Sequence, residues 1–188
     1  MIKLIITDFD GTLFNTFEAN FLAYKEVLKN LHYNLDIETY RNLFGFRFDD
    51  FMKHLGIESN EEKQKIRELK KKVYPKYFNH IQPNEALVTL LKTLKDKGIK
   101  IAIASTARKE NLMNVLSYFD KRFNLLDLFD YVITGEDVTH GKPNPEVYNF
   151  TMSLANTLPS DTLVFEDSDV GITAAKNANT NVIKINMN

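Results

Sequence analysis

Five short apolar runs, each ending in polar or turn-forming residues, alternate along this chain with longer segments whose apolar residues recur at helical spacing. The runs are Leu4-Ile5-Ile6, Ile99 to Ala104, Tyr131 to Thr134, Thr162 to Glu166 and Asn181 to Ile185. A continuous apolar run of that length fits a strand buried on both faces, and strands alternating with helices build a parallel sheet with helices on each side. Between the runs, Leu87, Leu90, Leu91 and Leu94 form one apolar stripe, with Gly98 placed as a C-terminal cap. Segments 111–119, 145–154 and 170–178 have the same character, and Asn179 suits a left-handed cap after the last of them. In such an α/β fold the functional groups gather at the carboxyl ends of the strands.

Residues 15–81 break the alternation. They show only helical patterns, at 17–31, 37–55 and 61–78, with breaks near Asn34 and Gly56. The expected organisation is therefore a parallel-sheet core from residues 1–14 and 82–188, with a small all-helical cap subdomain, residues 15–81, inserted after the first strand. Phe17, Phe21 and Tyr24 recur at helical spacing and are expected in the core of that insertion.

At 188 residues the chain is long enough to bury a sizeable core. A net charge of -1 and a pI near 6.4 argue against the broad basic surface that nucleic acid requires. The basic run Lys70-Lys71-Lys72 lies among Glu and Gln and is expected to be a solvated helix face. With no cysteine, disulfides, thiolate nucleophiles and Cys-ligated metals are excluded. The four histidines, His32, His54, His80 and His140, have no metal-ligand spacing. No apolar run approaches the ~20 residues that span a bilayer, and no leader pattern opens the chain, so a cytoplasmic protein without a membrane partner is expected.

The chemistry concentrates at the strand ends. Asp8 and Asp10 follow the first run, where alternation along an extended chain points both carboxylates to one side, an oxygen-rich arrangement suited to a hard cation such as magnesium. Like charges that close separate their pKa values, so one carboxylate can attack while the other handles a proton. The backbone amides of Gly11 and Thr12 are candidate phosphate donors. Taken alone, Asp-x-Asp also fits an Asx turn closing the strand. Ser105-Thr106, Gly141-Lys142-Pro143-Asn144-Pro145 and Phe165-Glu166-Asp167-Ser168 follow or precede later elements in the same way. Each has an ordinary alternative reading: a helix cap for Ser105 and Thr106, a solvated loop lysine for Lys142, and for Asp169 the N-cap of the last helix.

The string Asp8-Phe9-Asp10-Gly11-Thr12-Leu13 resembles the first motif of the haloacid dehalogenase-like hydrolases, and the three later segments resemble its second, third and fourth in the right order. The Gly-Lys-Pro-x-Pro form of the third resembles the branch that contains β-phosphoglucomutases and sugar-phosphate phosphatases. The resemblance spans Ile2 to Ile185 and implies a Rossmann-like core with a helical cap. It implies a magnesium-dependent phosphatase in which Asp8 is the nucleophile and Asp10 the acid and base. Magnesium is then held by Asp8, Asp10 through its backbone carbonyl, Asp167 and Glu166, while Ser105, Thr106 and Lys142 clamp the phosphate. The implied partner is a small-molecule phosphate ester, and the expected state is a monomer or weak homodimer. An acidic residue two places after the nucleophile implies phosphate esters rather than carbon–halogen bonds.

The motifs also fit two other functions. A phosphomutase similar to β-phosphoglucomutase needs a second phosphate site in the cap, for which Arg47 is the candidate. Asn20 stands where that branch often carries His, and Asn15 departs from the usual residues after the first motif. A non-catalytic binding protein on the same fold is the other.

Overall fold

The computed structural model describes residues 1–187. In chain order the elements are β1 (Leu4–Thr7), β2 (Phe14–Asn15), α1 (Phe17–Asn30), α2 (Ile37–Leu43), α3 (Phe48–His54), α4 (Asn60–Val73), a 3-10 helix (Tyr74–His80) and β3 (Gln82–Pro83). They continue with α5 (Glu85–Lys95), β4 (Lys100–Ala104), α6 (Lys109–Phe123), β5 (Tyr131–Ile133), α7 (Glu146–Ala155), a 3-10 turn (Pro159–Asp161), β6 (Thr162–Glu166), α8 (Asp169–Asn177) and β7 (Asn181–Lys184). The chain divides into two compact units: Met1–Asn15 with Pro83 onward, and Thr16–Gln82.

The five apolar runs form one sheet of order β5-β4-β1-β6-β7, parallel throughout. This is the α/β class expected from the sequence. Central β1 is buried along its whole length because it has a neighbour on each side: Thr7 is in register with Ile103 of β4 and Phe165 of β6. Beneath one face, Leu4, Ile6, Ala102, Ala104 and Val164 pack against Tyr148, Met152 and Ala155 of α7. Ala174 and Ala175 of α8 join them, where small side chains let a helix lie close to the sheet. At the sheet's exit, Asn84 ties the returning chain to the departing one. Its amide donates to Leu13 O at 2.9 Å and its Nδ2 to Thr12 O at 3.2 Å, while its Oδ1 accepts from Leu87 N and caps α5.

Gly98 (φ +80) and Asn179 (φ 57) adopt the left-handed conformation expected of them after α5 and α8. One expected cap is corrected: α8 is capped by Ser168, whose Oγ accepts from Gly171 N at 3.1 Å, and Asp169 is already helical. Asp169 instead pairs with Lys184 at 2.9 Å.

The second unit is helical. The single pattern over 37–55 is two helices, because Gly45 takes φ +88 and Phe44 and Arg47 on either side are extended. The pattern over 61–78 changes to a 3-10 helix at Tyr74, where Pro75 has no N–H to continue an α-helical ladder. Tyr40 centres an aromatic cluster, 5.2 Å from Phe17, 5.7 Å from Phe21 and 6.1 Å from Tyr24 between ring centroids. Lys71 and Lys72 are solvated, but Lys70 is not. It is 7% exposed, donates to Asn20 Oδ1 at 2.7 Å and lies over the rings of Tyr24 and Tyr74 at 4.4 and 4.5 Å. Charge patterning misses this because burial of one lysine in a run depends on which face of α4 it occupies. Among the described residues no helix is long and apolar enough to cross a membrane.

Candidate active site

Asp8 is the first residue beyond β1. Its amide donates to Phe165 O at 2.9 Å, prolonging the β1–β6 ladder and fixing the backbone from which a 6% exposed carboxylate projects. The chain then turns tightly: Gly11 N donates to Phe14 O at 2.7 Å, and Leu13 N and Phe14 N donate to Phe9 O. The Gly11 amide is therefore committed to the turn rather than available as a phosphate donor. Glycine is required at position 11 for another reason. The residue has φ +90, and a Cβ would lie 2.2 Å from Asp167 Oδ2. Thr12 Oγ1 donates to Asp167 Oδ1 at 2.9 Å, so the Gly-Thr pair shapes and holds the fourth-motif carboxylate.

Lys142 arrives from the loop between β5 and α7. Glu146 at the start of α7 accepts from Thr139 N and His140 N, both at 2.8 Å, and Asn177 Nδ2 donates to Pro143 O at 3.2 Å, bracing the loop on two sides. His140 is exposed and pairs with Glu146 at 2.9 Å. The Lys142 side chain is only 5% exposed. Its Nζ donates to Asp8 Oδ1 at 2.6 Å, to Glu166 Oε1 at 2.5 Å and to Ala104 O at 3.3 Å. Those three acceptors match the three hydrogens of an ammonium. The solvated-loop alternative for Lys142 does not hold.

Glu166, at the end of β6, is 1% exposed. Its Oε1 accepts from Lys142 and from the Tyr148 hydroxyl at 3.1 Å, and its Oε2 accepts from Ser168 N and Oγ at 2.9 and 3.0 Å. Gly171 makes room for it, since a Cβ there would fall 1.8 Å from Glu166 Oε1. Asp8, Glu166 and Asp167 bring one carboxylate oxygen each to within 4.8 Å of the others.

The family model described as haloacid dehalogenase-like hydrolase matches residues 5–185. The chain belongs to this family. Among curated relatives, the phosphorylated carbohydrates phosphatase of Thermotoga maritima is 31% identical over 184 residues, covering 94% of this chain and 82% of that protein. The β-phosphoglucomutase of Bacillus subtilis is 28% identical over 187 residues, covering 94% and 80%. Among solved structures, CbbY from Rhodobacter sphaeroides in complex with phosphate superposes with a TM-score of 0.89 at 24% identity, covering all of this chain and 87% of that one, and so shares the fold.

For a haloacid dehalogenase-like hydrolase the decisive electrostatic fact is three converging carboxylates against one ammonium. Burial pushes the Asp8 carboxyl well above its usual range, and the Glu166 and Asp167 charges add to that, outweighing Lys142. Burial and Glu166 push Asp167 up as well. Glu166 goes the other way: burial opposes ionisation, but Lys142 and the Ser168 donors hold its carboxyl below the ordinary value. Lys142 is held well above the usual ammonium range, because Asp8 and Glu166 overcome its burial. All the donors are oxygen, two of the carboxylates are electrostatically uncompensated, and a hard divalent cation fits both facts. Since both Glu166 oxygens are already engaged, Asp8 and Asp167 are the side chains best placed to ligate it.

The structure thus brings together Asp8, Lys142, Glu166 and Asp167. The half-buried Asp10 sits in the turn after Phe9, and its carboxylate is not one of the converging three. Ser105 is 1% exposed at the end of β4, its Oγ accepting from Ala107 N at 3.0 Å. It is not the cap of α6, whose N-cap residue is Arg108. Thr106 follows it, half-buried. Gly135 lets the neighbouring loop come close, since a Cβ there would lie 2.8 Å from Thr106 O. Arg47 belongs to the helical unit, as the N-cap residue of α3. Sequence reasoning missed Thr12 as an anchor for Asp167, Ser168 as the donor to Glu166, and Tyr148, which looks like one more apolar position on α7.

Proposed function

We propose that this protein is a magnesium-dependent phosphatase that hydrolyses a small phosphorylated metabolite, a sugar phosphate in the first instance, through an aspartyl-phosphate on Asp8. The observation that carries the reading is the 2.6 Å contact between the Lys142 ammonium and Asp8 Oδ1, with Asp167 alongside. A carboxylate and a phosphate ester repel each other, and a buried ammonium at the point of attack offsets that repulsion where low dielectric makes it largest.

In the first step a carboxylate oxygen of Asp8 attacks phosphorus while the bond to the ester oxygen breaks, and Asp10 gives that oxygen a proton. In the second, Asp10 takes a proton from water, the hydroxide attacks phosphorus, and the bond to Asp8 breaks to release phosphate. Asp10 is the less buried of the two, and so the one better placed to exchange protons with water. Ser105 and Thr106 hold the phosphoryl oxygens, and the charge of Lys142 offsets theirs. Magnesium, held by Asp8, Asp167 and the backbone carbonyl of Asp10, would supply charge neutralisation and alignment of the phosphoryl group, with Glu166 acting from behind Lys142.

The Thermotoga maritima relative supports a phosphorylated carbohydrate as substrate. The phosphomutase alternative is not adopted: it needs a second phosphate site in the helical unit, and Asn20, where that branch often carries His, is held by Lys70 at 2.7 Å. A cytoplasmic monomer or weak homodimer completes the reading.

The test is turnover of an aryl phosphate with magnesium present. The wild type hydrolyses it, and Asp8→Asn loses turnover by roughly 10⁴-fold or more while its circular dichroism spectrum is unchanged. Wild-type-like turnover in Asp8→Asn removes Asp8 from the nucleophile's role. Excess chelator abolishes activity and added magnesium restores it; undiminished turnover in chelator refutes the metal assignment.

A further inference from the structure

Among the described residues Tyr148 heads the fully buried side chains by volume, and it belongs to a core made of Leu4, Ile6, Val164 and Met152 with several alanines. A phenol in such surroundings is destabilising unless its O–H finds a partner. The partner is Glu166 Oε1 at 3.1 Å, the same oxygen that accepts from Lys142 Nζ at 2.5 Å. The ring is itself close to Lys142, with Nζ 5.2 Å from its centroid. One side chain therefore touches both members of the pair that stands behind the nucleophile: its π face meets the cation and its hydroxyl meets the anion.

That placement bears on a competition. Asp8 and Glu166 both draw the Lys142 ammonium at hydrogen-bond distance, and only the contact with Asp8 serves attack on phosphorus. A donor on Glu166 Oε1 satisfies part of that oxygen's acceptor capacity and weakens its hold on the ammonium. The ring limits where the ammonium can go if it leaves Asp8. Phenylalanine would fill the same space and keep the ring, but would lack the donor.

We propose that Tyr148 is a positioning residue, which by bonding Glu166 Oε1 and walling the Lys142 ammonium keeps that ammonium shared with Asp8 instead of drawn wholly to Glu166. The proposal rests on the phosphatase reading for the purpose of Lys142, but the arrangement can be observed without turnover.

Tyr148→Phe is the test variant, with aryl-phosphate kinetics, thermal unfolding and nitrogen NMR of protein labelled at lysine Nζ as readouts. The expected result is a roughly tenfold fall in kcat with KM changed by less than about twofold and little change in unfolding temperature. The Lys142 ammonium resonance should shift or broaden. In a Lys142→Met background the same substitution should change kcat by less than about twofold, since the residue it acts through is gone. A wild-type kcat with an unmoved Lys142 resonance overturns the proposal, and so does an equal loss of kcat in the Lys142→Met background. A wild type inactive on every phosphate ester, with the resonance still moved by Tyr148→Phe, overturns the phosphatase reading and leaves the positioning intact.

Discussion

Lys142 and Lys70 are both buried ammonium groups, one in each unit, and each is accommodated by different chemistry. Lys142 is surrounded by anions and a carbonyl: Asp8, Glu166 and Ala104 O. Lys70 is met by a neutral amide, Asn20, and by the faces of Tyr24 and Tyr74. Aromatic faces and an amide oxygen stabilise a cation through a quadrupole and a dipole. Carboxylates stabilise it by cancelling the charge, and here they exceed it. The first environment suits a lysine that holds helices together. The second places a cation among carboxylates that outnumber it, the setting on which the proposed phosphatase reading rests. Burial of a lysine is thus uninformative about function until its partners are known.

Removing the cation from the anionic setting has the larger expected effect. Lys142→Met leaves Asp8 and Glu166 buried without their ammonium, and kcat on an aryl phosphate should fall by about 10²- to 10³-fold. A loss under about fivefold would mean that the Lys142–Asp8 contact is structural and the contrast with Lys70 is false. Lys70→Met keeps the stem and strips Asn20 Oδ1 of its donor. The expected cost is about 1–3 kcal/mol, read in urea unfolding as a lower midpoint at an unchanged slope. An unchanged midpoint would show that the aromatic faces and the amide contribute nothing net.

Lys76 gives the smallest effect and a control. It pairs with Glu26 at 2.7 Å but is 59% exposed, so a carboxylate partner alone is not what distinguishes Lys142. Bonds from Lys76 and from the Tyr77 hydroxyl hold the Glu26 carboxyl below its usual range. A folded-state value below the unfolded one stabilises fully above the unfolded value, about 4.3, and the contribution is lost as pH falls through the folded value. The unfolding-temperature difference between wild type and Glu26→Gln should be small near about pH 6 and vanish toward about pH 3. A difference that grows on acidification contradicts the sign of this linkage.

The sheet was legible because its strands are buried on both faces and their apolar runs need no partner to be recognised; the Thr162–Glu166 strand coincides with its run. Gly98 and Asn179 were legible because left-handed backbone selects residue type. The break at Gly45 was not, since an apolar pattern can continue in phase across a bend that one φ angle imposes. Asp8, Lys142 and Asp167 could be named in advance because strand ends collect chemistry and their strings resemble a known pattern. The side-chain roles of Tyr148, Thr12 and Ser168 could not. Each acts on another functional side chain from a position that also satisfies an ordinary local rule, as core residue, turn residue or helix cap. Lys70 escaped for a related reason: composition shows the charge but not the two rings and the amide assembled around it by α1, α4 and the 3-10 helix.

The hydrogen bond from Asn84 N to Leu13 O joins the chain to itself on the far side of the insertion. In evolutionary terms this makes residues 16–82 a replaceable part. Any segment whose two ends meet at that point can be exchanged, lengthened or lost by recombination while β1 keeps its register. Asp8, Lys142, Glu166 and Asp167 all lie outside the exchangeable segment. These four residues and the inserted helices are thus free to be inherited separately.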